Sequence, residues 1–270
     1  GDVYKRQVPG LNCYSCPAAS GACPIGAFQA VVGSSKFRFS YYITGFLILL
    51  GVLLGRFICG FLCPFGWFQE LLHKIPTKKL STKKLKPLTY LKYAVLLVMV
   101  FLLPAFLVND VGMGDPFFCK YLCPQGVLEG AIPLSLANSG IRAALGKLFT
   151  WKFSILLSVI ALSVLFYRPF CKWLCPLGAF YALFNRVSLF QMKVDKNKCV
   201  SCGNCARACK MDVDVTKTPN HAECIRCGMC IRACPTNAVC FRYGFGDGKD
   251  KEKAAETPRK TQNNKEEQNI

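Results

Sequence analysis

One cysteine pattern occurs twice near the end of this chain, and it constrains the fold more than any other feature. The first run is Cys199-x2-Cys202-x2-Cys205-x3-Cys209, and the second is Cys224-x2-Cys227-x2-Cys230-x3-Cys234, followed by Pro235. Zinc sites use Cys-x2-Cys pairs as two pairs of ligands, and the three-plus-one grouping does not suit them. It suits two iron–sulfur cubes, each taking three thiolates from one run and the fourth from the other. The expected sets are Cys199, Cys202, Cys205 and Cys234 for cluster I, and Cys209, Cys224, Cys227 and Cys230 for cluster II. Gly203 and Gly228 follow the second cysteine of each run, where a chain wrapping a cluster gains from relaxed φ. The chain holds 18 cysteines. Small secreted disulfide scaffolds are short and lack long apolar runs, so that class is a poor fit.

Residues 194–242 resemble the bacterial two-cluster ferredoxins, which implies two [4Fe-4S] clusters in a small α+β domain. Lys210 stands where that family usually has proline, a local loop change that spares the thiolate. Cys240 has no slot in the scheme and is expected to be a packed thiol. Lys193, Lys196, Lys198, Arg207, Lys210, Arg226 and Arg232 make this part basic, a face suited to an acidic electron donor or anionic lipid.

Upstream the sequence is apolar. Uncharged segments run from Phe39 to Gly55, from Tyr93 to Asn109 and from Phe153 to Tyr167. They predict three membrane spans, at about 39–58, 90–109 and 152–170. Buried core helices are the competing reading. The net charge of +19 then follows from cytoplasmic loops, not from nucleic-acid binding. Lys74, Lys78, Lys79, Lys83, Lys84, Lys86 and Lys92 crowd the first loop and place it inside by the positive-inside rule. The second loop, with Asp110, Asp115, Glu129, Arg142 and Lys147, is nearly balanced and faces out. Parity returns everything after Arg168 to the cytoplasm, and a fourth span is expected before Gly1 if the chain begins inside. Gly51 and Gly55 could seat a neighbouring helix. The stretch from Trp67 to Ile75 is amphipathic and suits the membrane interface.

A second repeat marks the ends of the spans. Arg56-Phe-Ile-Cys59-Gly-Phe-Leu-Cys63-Pro64-Phe-Gly66 aligns with Arg168-Pro-Phe-Cys171-Lys-Trp-Leu-Cys175-Pro176-Leu-Gly178. Cys119-Lys-Tyr-Leu-Cys123-Pro124-Gln-Gly126 is a third copy. Cys23-Pro24-Ile-Gly26 is a partial fourth, with Cys13 and Cys16 upstream. Cysteines at i and i+4 share a helix face, and the Pro and Gly that follow turn the chain. Each corner therefore presents thiols in one direction. Cys59, Cys63, Cys171 and Cys175 form a candidate inner metal site. Cys119 and Cys123 with Cys13, Cys16 or Cys23 form a candidate outer one, where an oxidising exterior also permits disulfides.

Spans with Cys-x3-Cys-Pro corners followed by a two-cluster ferredoxin resemble the NapH/NosR-type membrane ferredoxins over nearly the whole chain, Pro9 to Arg242. The resemblance implies an α-helical polytopic protein of a prokaryotic inner membrane with a cytoplasmic ferredoxin domain. It implies an electron-transfer subunit, not a stand-alone enzyme. Its partners would be the lipid bilayer, an acidic donor or flavoprotein, and quinol oxidoreductase subunits, without nucleic acid. Further iron–sulfur centres would lie at the corners. A redox-dependent metal-handling or assembly factor and a redox sensor are the rival classes.

The expected division is a transmembrane part over 8–192, a ferredoxin-like part over 193–243 and a polar disordered tail over 244–270. Residues 1–7 are set aside, because Asp2 to Gln7 reads as the translation of a transposon-end adapter. Two histidines, His73 and His221, lie outside the spans, which disfavours a membrane haem. No set of residues for stand-alone catalysis is evident.

Overall fold

The structure is a computed structural model. It describes residues 6–7, 10–11, 21–33, 41–77, 79–80, 82–107, 114–137, 140 and 146–244. Cys13, Cys16 and the polar tail beyond 244 lie outside the described residues.

Ten helices precede the ferredoxin-like part among the described residues. They are α1 (Pro24–Gly33), α2 (Tyr41–Leu54), α3 (Phe57–Phe61), α4 (Pro64–His73), α5 (Leu85–Phe106), α6 (Phe118–Leu122), α7 (Gly126–Leu136), α8 (Lys147–Leu165), α9 (Pro169–Trp173) and α10 (Pro176–Phe184). Proline opens α1, α4, α9 and α10, where its missing N–H costs nothing and its fixed φ favours the first turn. Inside α5, Pro104 cannot donate to the carbonyl of Val100. The turns before it, Leu96–Leu102, widen to π geometry, which accommodates the lost bond.

Two helices, α5 and α8, are long and apolar enough to cross a membrane. In their most apolar stretches only 28% and 17% of residues are buried inside the protein. A core helix of a soluble domain would be mostly buried. Leu97, Phe101, Phe106, Leu157 and Leu162 face outward instead, a surface that suits lipid better than water. The first expected span is shorter than predicted. Helix α2 has 14 residues, and the chain breaks at Gly55, which takes φ +55°. Gly51 does seat a neighbour, since a Cβ there would meet the Phe184 ring of α10 at 2.9 Å. Trp67, Leu71 and Ile75 form an exposed apolar stripe on and just beyond α4, the interfacial face expected of that stretch.

The ferredoxin-like part holds strands β3 (Phe190–Val194) and β4 (Val239–Tyr243) and short helices α11 (Asn204–Ala208) and α12 (Met229–Arg232). The strands pair antiparallel, Phe190 opposite Tyr243 and Val194 opposite Val239. Cys240 is exposed on β4, not packed. It falls next to the buried Val239 in a strand whose successive side chains point to opposite faces. A separate two-residue parallel pairing joins β1 (Arg6–Gln7), set aside on sequence grounds, to β2 (Gly21–Ala22).

The two halves of this part are copies. Ser201 and Arg226 both adopt left-handed backbone, at φ 52° and 53°. Gly203 and Gly228 do so at 71° and 77°, and Asp212 and Asn237 at 57° and 51°. Each pair is separated by the interval between Cys199 and Cys224. Left-handed turns of this kind direct consecutive backbone N–H groups into a concavity, the geometry that receives negatively charged sulfur.

Candidate metal centres

The first ligand set predicted from spacing meets around one cavity, lined by Cys199, Cys202, Cys205 and Cys234 with Thr216 and Thr236. Burial pushes the Cys234 thiol up, but Thr236 and the backbone N–H groups around it outweigh burial and hold it below its ordinary value. The N–H of Ala238 donates to its Sγ at 3.2 Å. A sulfur supplied with donors in this way is prepared to be a thiolate. In the second set, Cys209, Cys224 and Cys227 lie close enough to Cys230 to raise its pKa. Burial comes first and their charges second, and together they push it to about 12. Crowded, buried thiols resist ionisation, whereas bound iron neutralises them. Both sets therefore fit a cluster. Among the described residues no three His, Cys, Asp or Glu side chains close on a point as a single ion requires, the ferredoxin cysteines included. Thiolates around one zinc, with Zn–S of about 2.3 Å, approach more closely than those around a four-iron cube.

The inner corners also meet. Cys59, Cys63, Cys171 and Cys175 are all buried thiols, near enough to feel one another's charge. What holds them is a pair of arginines crossed between the two copies. Arg56 Nη2 donates to the carbonyl of Cys171 at 3.3 Å, and Arg168 Nη1 donates to the carbonyl of Cys59 at 2.5 Å. Glycine makes room for each. A Cβ on Gly178 would meet the Cys171 carbonyl at 3.2 Å and Arg56 at 3.5 Å; one on Gly66 would meet the Cys59 carbonyl and Arg168, both at 3.1 Å. The aligned copies thus pack as a pseudo-twofold pair, each locked by the other's arginine.

In the outer group Cys23 and Cys123 are buried and electrostatically coupled. The Lys152 ammonium donates to the carbonyl of Cys119 at 3.0 Å. The two groups are not far apart. Cys23, Cys123, Cys59, Cys63 and Cys175 belong to one contiguous core, and buried Tyr181 feels Cys59, Cys63 and Cys175 as well as Cys23. Thiols of both groups therefore border one interior.

The ferredoxin-like part is keyed onto the helices by buried charge. Glu223, beside Cys224, accepts from Arg56 at 2.8 Å and from Lys92. Asp212 pairs with Lys172 at 2.9 Å, bridged by Thr82. Arg226, expected on a basic surface, is buried instead. It donates to the Leu54 carbonyl at 2.8 Å, where helix α2 ends, and to the Asn185 carbonyl and Ser188 Oγ, both at 2.7 Å. A cation suits a helix C-terminus, which explains why this arginine is inside. Lys193, Lys196, Lys198, Arg207, Lys210 and Arg232 remain exposed.

The sequence reading missed Gln29 and Gln69. Each is fully buried, and each stands six residues after the cysteine that precedes the proline of its corner, a regularity visible once the copies are aligned.

These cysteine sets define an iron–sulfur protein, and the comparisons agree. A family model described as "4Fe-4S binding domain" matches residues 21–42, 39–83, 92–132 and 148–197, one match per corner and together more than half of the chain. A second, "4Fe-4S dicluster domain", matches 191–235. The chain belongs to the 4Fe-4S binding-domain family, and within it to the NapH/NosR type. An uncharacterized protein of Methanocaldococcus jannaschii is 32% identical over 74% of this chain and 77% of its own length. The regulatory protein NosR of Stutzerimonas stutzeri is 27% identical over 59% of this chain and 21% of its own length. The ferredoxin-type protein NapH of Haemophilus influenzae is 26% identical over 41% and 53%. The chain thus spans about half or less of these last two relatives. No solved structure matches.

Proposed function

We propose that this protein is a membrane electron conduit. Two [4Fe-4S] clusters, held by the crossed sets Cys199/Cys202/Cys205/Cys234 and Cys209/Cys224/Cys227/Cys230, exchange electrons with centres held by the corner cysteines. When bound, such clusters supply one-electron carrier chemistry. The residues of the chain fix where that chemistry happens. The carrying observation is that the ferredoxin-like part and the corners share one core. Met211, Val213 and Ile225 belong to the same buried cluster as Cys59 and Cys63, and Cys209 and Cys227 pack against that cluster. Cluster II ligands thus face the inner corner. Cluster I ligands lie away from it, with Cys202 and Val200 exposed.

Entry at the cluster I side suits a redox partner with an acidic face, since Lys196, Lys198 and Arg207 lie exposed around those ligands. Tyr181, within reach of both cysteine groups, marks the path from the inner corner to the second. The three apolar helices α2, α5 and α8 serve as spans, with the ferredoxin-like part in the cytoplasm. The acceptor lies in the membrane or beyond it.

The test is iron and acid-labile sulfide per chain on anaerobically purified protein, with EPR after stepwise reduction. The ferredoxin sets alone account for about eight irons. Clearly more than eight, falling when Cys59 and Cys171 are both replaced by serine, is expected. A count of about eight that those replacements leave unchanged would remove the corner centres and reduce the protein to a tethered ferredoxin.

A further inference from the structure

The two missed glutamines make the same three contacts at two different places. Gln69 Nε2 donates to its own helix at the Phe65 carbonyl (3.3 Å) and to Cys171 Sγ (3.2 Å), while its Oε1 accepts from the Phe170 N–H at 3.2 Å. Gln29 Nε2 donates to the Ile25 carbonyl (3.3 Å) and to Cys119 Sγ (3.4 Å), and its Oε1 accepts from the Phe118 N–H at 3.0 Å. In both, the backbone N–H comes from the phenylalanine just before the first cysteine of the opposing corner. That N–H can only donate, so it must face the amide oxygen. The amide orientation is therefore fixed, and the NH2 group has to face sulfur.

A buried amide donor aimed at sulfur gains most when the sulfur carries negative charge, because charge-assisted hydrogen bonds are about twice as strong as neutral ones. Hydrogen bonds to ligand sulfur are also among the determinants of cluster potential. The duplication separates this from incidental packing, since two corners far apart in sequence place the same atoms on the same partners. It also bears on the second group of cysteines, which spacing left open between metal and disulfide. Cys119 is treated there as Cys171 is treated at the four-thiol site.

We infer that Gln69 and Gln29 are positioning residues that hold Cys171 and Cys119 as thiolate ligands of two equivalent corner centres and raise the reduction potential of each. This rests on the corner centres proposed above. A donor to sulfur stabilises the more negative, reduced state, so removing it favours the oxidised one.

The experiment uses the full chain, purified anaerobically, with Gln69→Met and Gln29→Met compared to the parent by iron count and EPR redox titration. Loss of the donor in Q69M is expected to lower the reduced-to-oxidised ratio of one corner centre about tenfold at fixed potential, about 59 mV for a one-electron couple. Q29M is expected to do the same to the other corner centre. The ferredoxin clusters should move in neither variant. Retained iron with unmoved potentials would overturn the inference, and so would both variants shifting one and the same centre. A parent with only about eight irons would overturn the conduit reading itself, a result distinct from either. If Q69M loses its corner iron outright, the parent labelled with amide-15N glutamine decides. A weak 15N coupling to the reduced corner centre supports the inference, and its absence overturns it.

Discussion

Glu223 carries more of the architecture than its single carboxylate suggests. Its two oxygens take separate cations, Arg56 and Lys92, both fully buried. Arg56 also reaches the Cys171 carbonyl, so one ion network ties a cluster II neighbour to both inner corners. A buried ion pair adds little net stability, but removing one partner leaves uncompensated charge and costs roughly 3–5 kcal/mol. Glu223→Gln should therefore lower thermal stability by an amount of that order in detergent, far more than a change at exposed Lys196. The pH dependence follows from the same contacts. Burial pushes the Glu223 carboxyl up, yet Arg56 and Lys92 together outweigh burial and hold it below its ordinary value. A carboxyl depressed on folding contributes stability above its unfolded pKa and loses it as pH falls through the lower folded value. Docking should thus be flat from about pH 8 to pH 5 and weaken only in stronger acid. The acid limb of a melting-temperature profile should shrink in the glutamine variant.

At the scale of elements, the corners work because glycine lets backbone approach backbone. Gly60, on α3, lies under the cluster II loop. A Cβ there would meet the Ile225 carbonyl at 2.8 Å, a backbone atom with little room to give. Gly60→Ala should lift that loop from the corner, destabilise by about 1–3 kcal/mol as overpacking does, and slow reduction of corner centres by the ferredoxin clusters in stopped-flow mixing. Gly45 on α2 is the control, because nothing lies within 4 Å of its Cβ position. Gly45→Ala should be neutral, or stabilising by up to about 1 kcal/mol, through helix propensity alone. Equal effects of the two changes would mean that the contact at Gly60 carries no coupling.

These elements also show where sequence reading stops. The ferredoxin runs and the four corners are legible because cysteine, proline and glycine spacings are local. The left-handed turns at Ser201, Arg226, Asp212 and Asn237 are not, since those residue types usually sit elsewhere in backbone space. Arg226 reads as one more surface cation until the end of α2 is brought against it. Gln29 and Gln69 look like ordinary helix residues until the opposing corner supplies their partners. What the sequence hid at Arg226, Gln29 and Gln69 was a long-range contact.

For the whole molecule, the open matter is which surfaces share a side of the membrane, and contacts bear on it more directly than charge does. Thr82 lies in the lysine-rich stretch between α4 and α5, and it hydrogen-bonds both Lys172, on α9 after the last long helix, and Asp212 in the ferredoxin-like part. The Leu80 N–H also donates to the Leu165 carbonyl at 3.1 Å, at the end of α8. The loop and the cluster-bearing part are therefore on one side. In the topology proposed above that side is the cytoplasm, as the positive-inside rule expects of a stretch so crowded with lysine. Helices α5 and α8 would then run antiparallel across the bilayer, with the stretch from Gly114 to Leu136 toward the far end. Sealed inside-out vesicles give the measurement. Protease added outside should cut the loop around Lys79 and the exposed Lys196–Lys198 turn together, while sites near Lys120 should be cut only after detergent. Cleavage of the loop and the turn from opposite sides would break the contacts at Thr82, and with them the arrangement in which cluster II faces the inner corner.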